Sequence, residues 1–513
     1  MNKYKCSICG YIFDEEKENQ KLEKISNCPS CTAPTTLYKK VEIEEKEQIE
    51  FKSSHEHIDK RVPINKDSLS INRDNEKCIL CGNCKSVCQF KQGVYGNYNL
   101  EKTNDRAICI DCGQCSLVCP TKAIDIKKDY QKVRDILKDK DKIVIFQTSP
   151  SIRVSLGEEF DMKPGTMVEQ KIVSALKKLG ANYVFDTTFG ADLTIMEEAN
   201  ELVDRIKNKK TIPMFTSCCP AWVRFVELFY PKYLENLSTC KSPISMQGAI
   251  IKTYFASKMN LDPSKIVNVA ITPCTAKKAE IKRKEMNSSA TFNNNSDLRD
   301  MDYIVTVREL AEWLKEEQIN FEELPNTVYD SPLARGTGSG IIFGNSGGVM
   351  EAAVRTAYNI LTGKDIETLE FNEVRGLESI KEASININGT NLKLAVVSGT
   401  ENARKLIEKM EQEQKSYDFI EVMACPGGCI AGGGQPKVDM MLQQEVKKER
   451  TNTLYEEDHH SKLRYSHENP EILKLYEEFL IKPLGIKSKA LLHTTYESRI
   501  LELDNQKKEQ MNI

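Results

Sequence analysis

Two short cysteine runs constrain this chain more than any other feature: Cys78-x2-Cys81-x2-Cys84-x3-Cys88 and Cys109-x2-Cys112-x2-Cys115-x3-Cys119-Pro120. Three closely spaced thiols can wrap one corner of an iron-sulfur cubane, while the fourth, on the outgoing helix, reaches a second cluster. The spacing therefore predicts two 4Fe-4S sites, one on Cys78, Cys81, Cys84 and Cys119, the other on Cys109, Cys112, Cys115 and Cys88. Zinc ribbons seldom use such spacing twice over. The second run ends in Cys-Pro; the first, Cys88-Gln89, departs there without losing a ligand.

The chain carries 18 cysteines in all. In a reducing compartment these point to metal or redox chemistry rather than disulfides. A cytoplasmic location is expected, because no apolar run approaches the length needed to cross a bilayer and Met1-Asn2-Lys3-Tyr4-Lys5-Cys6 lacks a signal-peptide core. Lys plus Arg total 72 against 75 Asp plus Glu, a net charge of -3, which offers no case for nucleic acid or an anionic membrane. Cys6-x2-Cys9 and Cys28-x2-Cys31 resemble rubredoxin-type knuckles. Four thiolates suit one tetrahedral iron or zinc; structural zinc stays open, and the neighbouring cluster runs favour iron.

The expected organisation is α/β and multi-domain: a rubredoxin-like four-cysteine metal domain over 1–41, a charged linker over 42–72, a two-cluster ferredoxin-like domain over 73–127, and a large two-lobed unit of helix-covered sheets over 138–513. Apolar runs at 142–146, 183–185, 212–215, 267–271, 303–305, 392–397 and 419–423 read as buried strands, and 167–179, 194–207, 348–361 and 399–414 as helices. Three strand-like runs lead straight into cysteines, at Cys218-Cys219, Cys274 and Cys425, which predicts one shared site at strand ends.

Those segments are Thr216-Ser217-Cys218-Cys219-Pro220-Ala221-Trp222, Thr272-Pro273-Cys274-Thr275-Ala276-Lys277-Lys278 and Met423-Ala424-Cys425-Pro426-Gly427-Gly428-Cys429. They resemble the three signature segments of the FeFe hydrogenases, a likeness that covers essentially all of 138–500. The resemblance implies reversible interconversion of H2 with protons and electrons at an H-cluster, a 4Fe-4S cubane joined to a diiron subsite bearing CO, CN and dithiolate ligands. It implies that Cys219, Cys274, Cys425 and Cys429 hold the cubane, with Cys429 bridging to the diiron subsite. Lys277 is then a donor to a cyanide, and Pro150, Ser151 and Met423 line the cofactor.

Sixteen cysteines are so assigned; Cys218 and Cys240 remain. Cys240 reads as a buried structural thiol. By resemblance Cys218 faces the diiron site and heads a proton relay through Glu198, Ser238, Glu201 and Arg205. Spacing alone gives the 194–207 helix a solvated Glu198-Glu201-Arg205 face opposite an apolar stripe of Met196, Ala199, Val203 and Ile206. Thr272, Ser149 and Ile244 depart from the family's common residues, which puts catalytic bias in question. The implied partners are a soluble electron carrier, by family habit ferredoxin, and hydrogenase maturation proteins; flavin-containing partner subunits stay open. The competing functions are a hydrogen sensor, for which the tail after His493 is short, and a non-catalytic iron-sulfur carrier, which has no need of Cys218.

Overall fold

The computed structural model describes residues 2–8, 11–15, 18–40, 60–367 and 370–504. The chain divides into two compact units, Met1–Ile58 and Asp59–Ile513. In the first, a three-stranded antiparallel sheet has Lys3–Cys6 between Ile12–Asp14 and Tyr38–Lys40. Tight turns close at Cys6 N to Tyr11 O (2.8 Å) and Cys28 N to Ala33 O (2.7 Å). They turn Cys6 and Cys28 inward. Cys9 lies outside the described residues, as do residue 41 and 42–59 of the expected linker.

Residues 60–72, expected to finish that linker, instead belong to the ferredoxin-like fold. Val62 and Ile71 are buried in its small core with Cys84, Cys115 and Ile124. Ile71–Arg73 also pairs antiparallel with Ile124–Ile126. Isolated apolar residues in a charged run give no periodicity to read, so the strand was hidden. The two cysteine runs build matching turns: Leu80 and Asp111 sit at φ 58° and 59°, followed by Gly82 and Gly113 at 84° and 69°. This left-handed step bends each chain around its cluster site before the helices Asn83–Phe90 and Gln114–Leu117 begin.

The large unit rests on two four-stranded sheets. One is wholly parallel, in the order Tyr303–Thr306, Ile266–Thr272, Ile143–Thr148, Tyr183–Asp186. Its strand Ile266–Thr272 is buried at every position, as expected of a parallel strand covered on both faces. The other sheet sets Met214–Phe215, Phe419–Met423 and Thr390–Ser398 parallel and adds Ile380–Ile387 antiparallel at its edge. The edge strand alternates polar and apolar residues, Ile-Lys-Glu-Ala-Ser-Ile-Asn-Ile, and a search for apolar runs passes over it.

Ser149, Pro273, Thr216 and Ala424 each follow the last residue of a strand. The segments carrying Pro150-Ser151, Cys274, Cys218-Cys219 and Cys425 therefore all leave the carboxyl ends of strands, where open α/β sheets form their clefts. The helix Thr187–Lys207 is longer than its sequence pattern suggests, because the Asp186 side chain caps it directly from the strand.

Candidate functional site

Four cysteines converge from both sheets. Cys219 caps the helix Pro220–Phe229, and its Sγ accepts a hydrogen bond from Ala424 N at 3.4 Å. Cys425 Sγ accepts from Gln114 Nε2 at 3.3 Å. Cys274 follows strand Ile266–Thr272, with its N–H donating to Thr272 Oγ1 at 3.4 Å. Cys429 is reached through Gly427 and Gly428, both at positive φ; a Cβ on Gly428 would lie 2.5 Å from Ser346 N, so only glycine fits. Burial raises all four thiol pKa values, that of Cys274 to about 12. Neighbouring thiolate charge adds to the rise at Cys274, Cys425 and Cys429. Four sulfurs that resist ionising together call for strong cationic compensation, and a multi-iron cubane supplies it; this donor set fits the group that the motif implies.

The segment Pro150–Val154 lies against this site. Ser151 Oγ donates to Cys429 O at 3.5 Å, and Gln435 Nε2 reaches both Ser151 Oγ (3.4 Å) and Cys429 O (3.2 Å). Met423 is buried in the cluster that contains Cys218, Phe343 and Cys429. Lys277 is buried with its ammonium on Cys218 O (3.0 Å) and Glu280 (2.9 Å). Burial works against its charge, but Glu280 and the Cys274 sulfur raise its pKa, so it stays cationic. Ile244 fills a small apolar cluster with Ala270, Ile281, Met301 and Ile304.

Cys218 is buried, and its thiol pKa is pushed well up, first by burial and then by the charge of Glu198. The carboxylate face that spacing alone makes solvent-facing is covered: Glu198 is 1 % exposed, Glu201 and Arg205 6 % each. Met196 and Ile206, from the apolar stripe, are only half-buried. The reason is tertiary. The helix packs against Gly348–Thr362 on one side and is overlaid by the 236–240 segment on another.

Both Glu198 oxygens are buried without a direct hydrogen-bond partner. Burial, reinforced by Glu201, pushes the Glu198 carboxyl up to about 8, against a nearby Ser238 hydroxyl that lowers it. That hydroxyl is itself directed at Glu201 Oε2, 3.3 Å away. Arg205 holds Glu201 Oε1 through Nη2 (2.6 Å) and Nε (3.1 Å) and is anchored on Leu237 O at 2.7 Å. Cys218, Glu198, Ser238, Glu201 and Arg205 are thus all buried, with direct hydrogen bonds joining Ser238, Glu201 and Arg205 and only electrostatic proximity joining Cys218 to Glu198.

In the ferredoxin-like fold one cleft is lined by Cys78, Cys81, Cys84 and Cys119. Cys115 is buried and Cys109 and Cys112 are half-buried, and desolvation raises the pKa of all three. Cys88 adds its charge at Cys109 and Cys115, and Cys425 does so at Cys112. Gln114, which the cysteine count overlooks, ties this second group to the first: besides Cys425 Sγ it binds Ala431 O at 2.9 Å. The difference between Cys-Gly-Asn-Cys in one run and Cys-Gly-Gln-Cys in the other was its only sequence signal. In the N-terminal unit, donor atoms of Cys6, Cys28 and Cys31 lie within 4.8 Å of one another. Burial opposes ionisation of Cys28, but hydrogen bonds from Tyr38 and from the backbone of Ser30 and Cys31 lower it to about 7.

The chain is similar to known proteins along most of its length. Residues 142–433 match the family described as iron only hydrogenase large subunit, C-terminal domain. Residues 444–499 match the iron hydrogenase small subunit, and 77–124 a 4Fe-4S dicluster domain. The chain is 42 % identical over 459 residues to Iron hydrogenase 1 of Clostridium pasteurianum, covering 87 % of this chain and 78 % of that one. It is 43 % identical over 450 residues to the NADP-reducing hydrogenase subunit HndD of Solidesulfovibrio fructosivorans, covering 84 % and 75 %. A solved structure of the apo FeFe-hydrogenase HydA1 from Chlamydomonas reinhardtii superposes with a TM-score of 0.64 at 38 % identity, over 72 % of this chain and 99 % of that one.

Proposed function

The chain belongs to the iron-only hydrogenase family and is an FeFe hydrogenase with a ferredoxin-like domain, and from that premise we propose how its residues divide the work. H2, protons and electrons are interconverted at an H-cluster. Cys219, Cys274, Cys425 and Cys429 hold its cubane; Lys277, Pro150, Ser151 and Met423 orient and enclose the diiron part. When bound, the cluster supplies the redox centre at which hydrogen is made or consumed.

The protein's own part is to move protons and to guide electrons. Cys218 exchanges a proton at its Sγ with the reacting centre, Glu198 takes or returns it, and the Ser238 hydroxyl passes it to Glu201. Arg205 keeps Glu201 in place at the outer end. The observation that carries this reading is the burial of Glu198 and Glu201 beside Cys218, which a solvated helix face does not explain. A carboxyl near 8 can both hold and release a proton close to neutrality.

Cys88, Cys109, Cys112 and Cys115 would hold one 4Fe-4S cluster and Cys78, Cys81, Cys84 and Cys119 another, which when bound would supply an electron route between the cubane and the surface. We read 1–41 as a rubredoxin-like domain whose Cys6, Cys9, Cys28 and Cys31 hold one iron, or else zinc. The remaining modules are the ferredoxin-like one, expected over 73–127 and extended here to begin at 60, and the large unit 138–513. Ferredoxin is the proposed carrier, in the cytoplasm, with maturation proteins inserting the cluster. The likeness to a subunit of an NADP-reducing hydrogenase supports partner subunits, flavin-containing ones among them. No helix among the described residues is long and apolar enough to cross a membrane. Infrared spectroscopy of the matured protein tests the assignment: carbonyl and cyanide bands accompany hydrogen turnover, and their absence from fully matured, iron-replete protein would sink it.

A further inference from the structure

Beside the relay lies a set of donors that proton transfer does not require. Residues 239–241 run antiparallel to 492–494: Lys241 N donates to Leu492 O and Thr494 N to Thr239 O, each at 2.8 Å, so Cys240 is bridged to His493. The Thr187–Lys207 helix brings Glu201 to the same point. One donor atom from each of Glu201, Cys240 and His493 lies within 4.8 Å of the other two. Cys240 Sγ is 3.8 Å from Glu201 Oε2, and the Thr239 hydroxyl lies 2.9 Å from that oxygen and 2.7 Å from His493 Nδ1.

Neighbouring side chains fix two of the three donors, His493 and Glu201. His493 Nε2 is 3.0 Å from Glu197 Oε2, and Glu197 is fixed in turn by the Tyr476 hydroxyl at 2.5 Å and Leu484 N at 2.8 Å. A ring whose Nε2–H is held by a carboxylate presents the Nδ1 lone pair, which is how metal-binding histidines are set by their outer partners. Glu201 gives Oε1 to Arg205, while its Oε2 faces Cys240 and accepts from Ser238 Oγ (3.3 Å), Thr239 N (3.0 Å) and Thr239 Oγ1 (2.9 Å), so a bound cation takes the place of the hydroxyl contacts. A mere buried His–Glu pair accounts for Glu197 and His493, but not for a thiol and a second carboxylate across the other ring nitrogen. One sulfur, one imidazole nitrogen and one carboxylate oxygen suit Zn²⁺, with water or Thr239 in the fourth position.

We propose that Glu201, Cys240 and His493 bind one zinc-class divalent cation, and that the ion blocks proton movement through Glu201. Binding replaces the Cys240 S–H bond with an S–Zn bond and releases the proton to solvent; nothing is oxidised. A thiolate and a carboxylate balance the two positive charges. The blocking effect rests on the relay proposed above, whereas the metal site does not.

The test titrates chelator-washed holoenzyme with zinc sulfate, alongside Cys240→Ala and His493→Ala proteins whose iron content and infrared bands show that they are folded. Bound zinc is counted after desalting, its ligands are read from zinc K-edge absorption, and dye-linked H2 oxidation is measured with and without zinc. Zinc in the N-terminal knuckle is common to all three proteins and cancels in the difference. The wild-type protein is expected to hold one more zinc than either variant, with a sulfur at about 2.3 Å and nitrogen or oxygen at about 2.0–2.1 Å. Zinc is expected to slow wild-type turnover about 10-fold or more, on the scale of losing a proton-transfer step, while each variant, whatever its own rate, is slowed less than about twofold. Equal zinc content in all three proteins overturns the site. One extra zinc with that ligand set and undiminished turnover overturns the block, and with it the relay through Glu201, but leaves the site standing. Where Cys240→Ala does not fold, Cys240→Asp, which keeps a donor of another chemistry, must lose the sulfur from the spectrum of the added zinc, taken as the difference before and after titration; a sulfur retained in that difference places the ion elsewhere.

Discussion

The ferredoxin-like module and the catalytic pocket use the same ligand type in opposite ways. In the module, thiols come from two short runs on matching turns, and Cys81 is exposed while Cys78 is half-buried. In the pocket, they come from segments as far apart in sequence as Cys219 and Cys429, set at strand ends in two different sheets. Local turn geometry suffices for the first. The second exists only when the whole large unit is folded, and the same enclosure is what keeps Glu198 and Glu201 from water.

The sharpest break of that contrast comes from removing one ligand in each region. Cys425→Ala should abolish the carbonyl and cyanide bands and drop turnover below detection, with loss of about six irons per chain. Cys81→Ala should cost at most about four irons and leave dye-linked turnover within a few-fold of wild type, because the catalytic site does not depend on that turn. Loss of the carbonyl and cyanide bands in Cys81→Ala protein, as in Cys425→Ala, would show the pocket to be less independent than its fold suggests.

Next in size is the relay. Cys218→Ala should keep iron content and infrared bands near normal and lower turnover about 100-fold or more, the scale of a lost positioned acid; Cys218→Asp should recover part of it. Wild-type rates in fully loaded Cys218→Ala protein would move the proton route elsewhere.

Glu198 gives that relay a pH signature. Its carboxyl is protonated below about 8 and ionised above. Hydrogen evolution needs it to give a proton inward, so that rate should fall as pH rises through this range, while hydrogen oxidation needs it as acceptor and should rise. Glu198→Gln, which cannot titrate, should lose both breaks; rate profiles on a common artificial redox dye are the measurement.

The smallest effect is expected at the N-terminal unit. Deleting residues 1–58 should leave dye-linked turnover unchanged and slow only reaction with the natural carrier, removing one metal from a total near 15 irons, or one zinc if the knuckle holds zinc. Elemental analysis and carrier-linked assays decide both points.

The contrast also explains how much the sequence disclosed. The ferredoxin-like turns and the strands leading to Cys219, Cys274 and Cys425 were legible because each is a local pattern: ligand spacing in one case, an apolar run ending in cysteine in the other. The cover over Glu198 was not. Helical periodicity places Glu198, Glu201 and Arg205 on one face but says nothing of what the 236–240 segment lays on top, and only family resemblance pointed to a relay there. Ile380–Ile387 alternates where a run was sought. Gln114 and Gln435 act through contacts far along the chain, which no spacing rule encodes.

One small contact sets a limit on rebuilding this molecule. A Cβ on Gly433 would stand 2.3 Å from Cys112 O and 2.8 Å from Gly113 Cα, and one on Gly113 would stand 2.4 Å from Thr275 Oγ1. The two regions meet backbone to backbone, like machined faces with no gasket. Sequence motifs make the ferredoxin-like segment look interchangeable, yet a foreign electron-transfer domain grafted in its place must reproduce that flush seam. A graft with any side chain there would hold its cluster farther from the cubane and lengthen the electron hop across the seam.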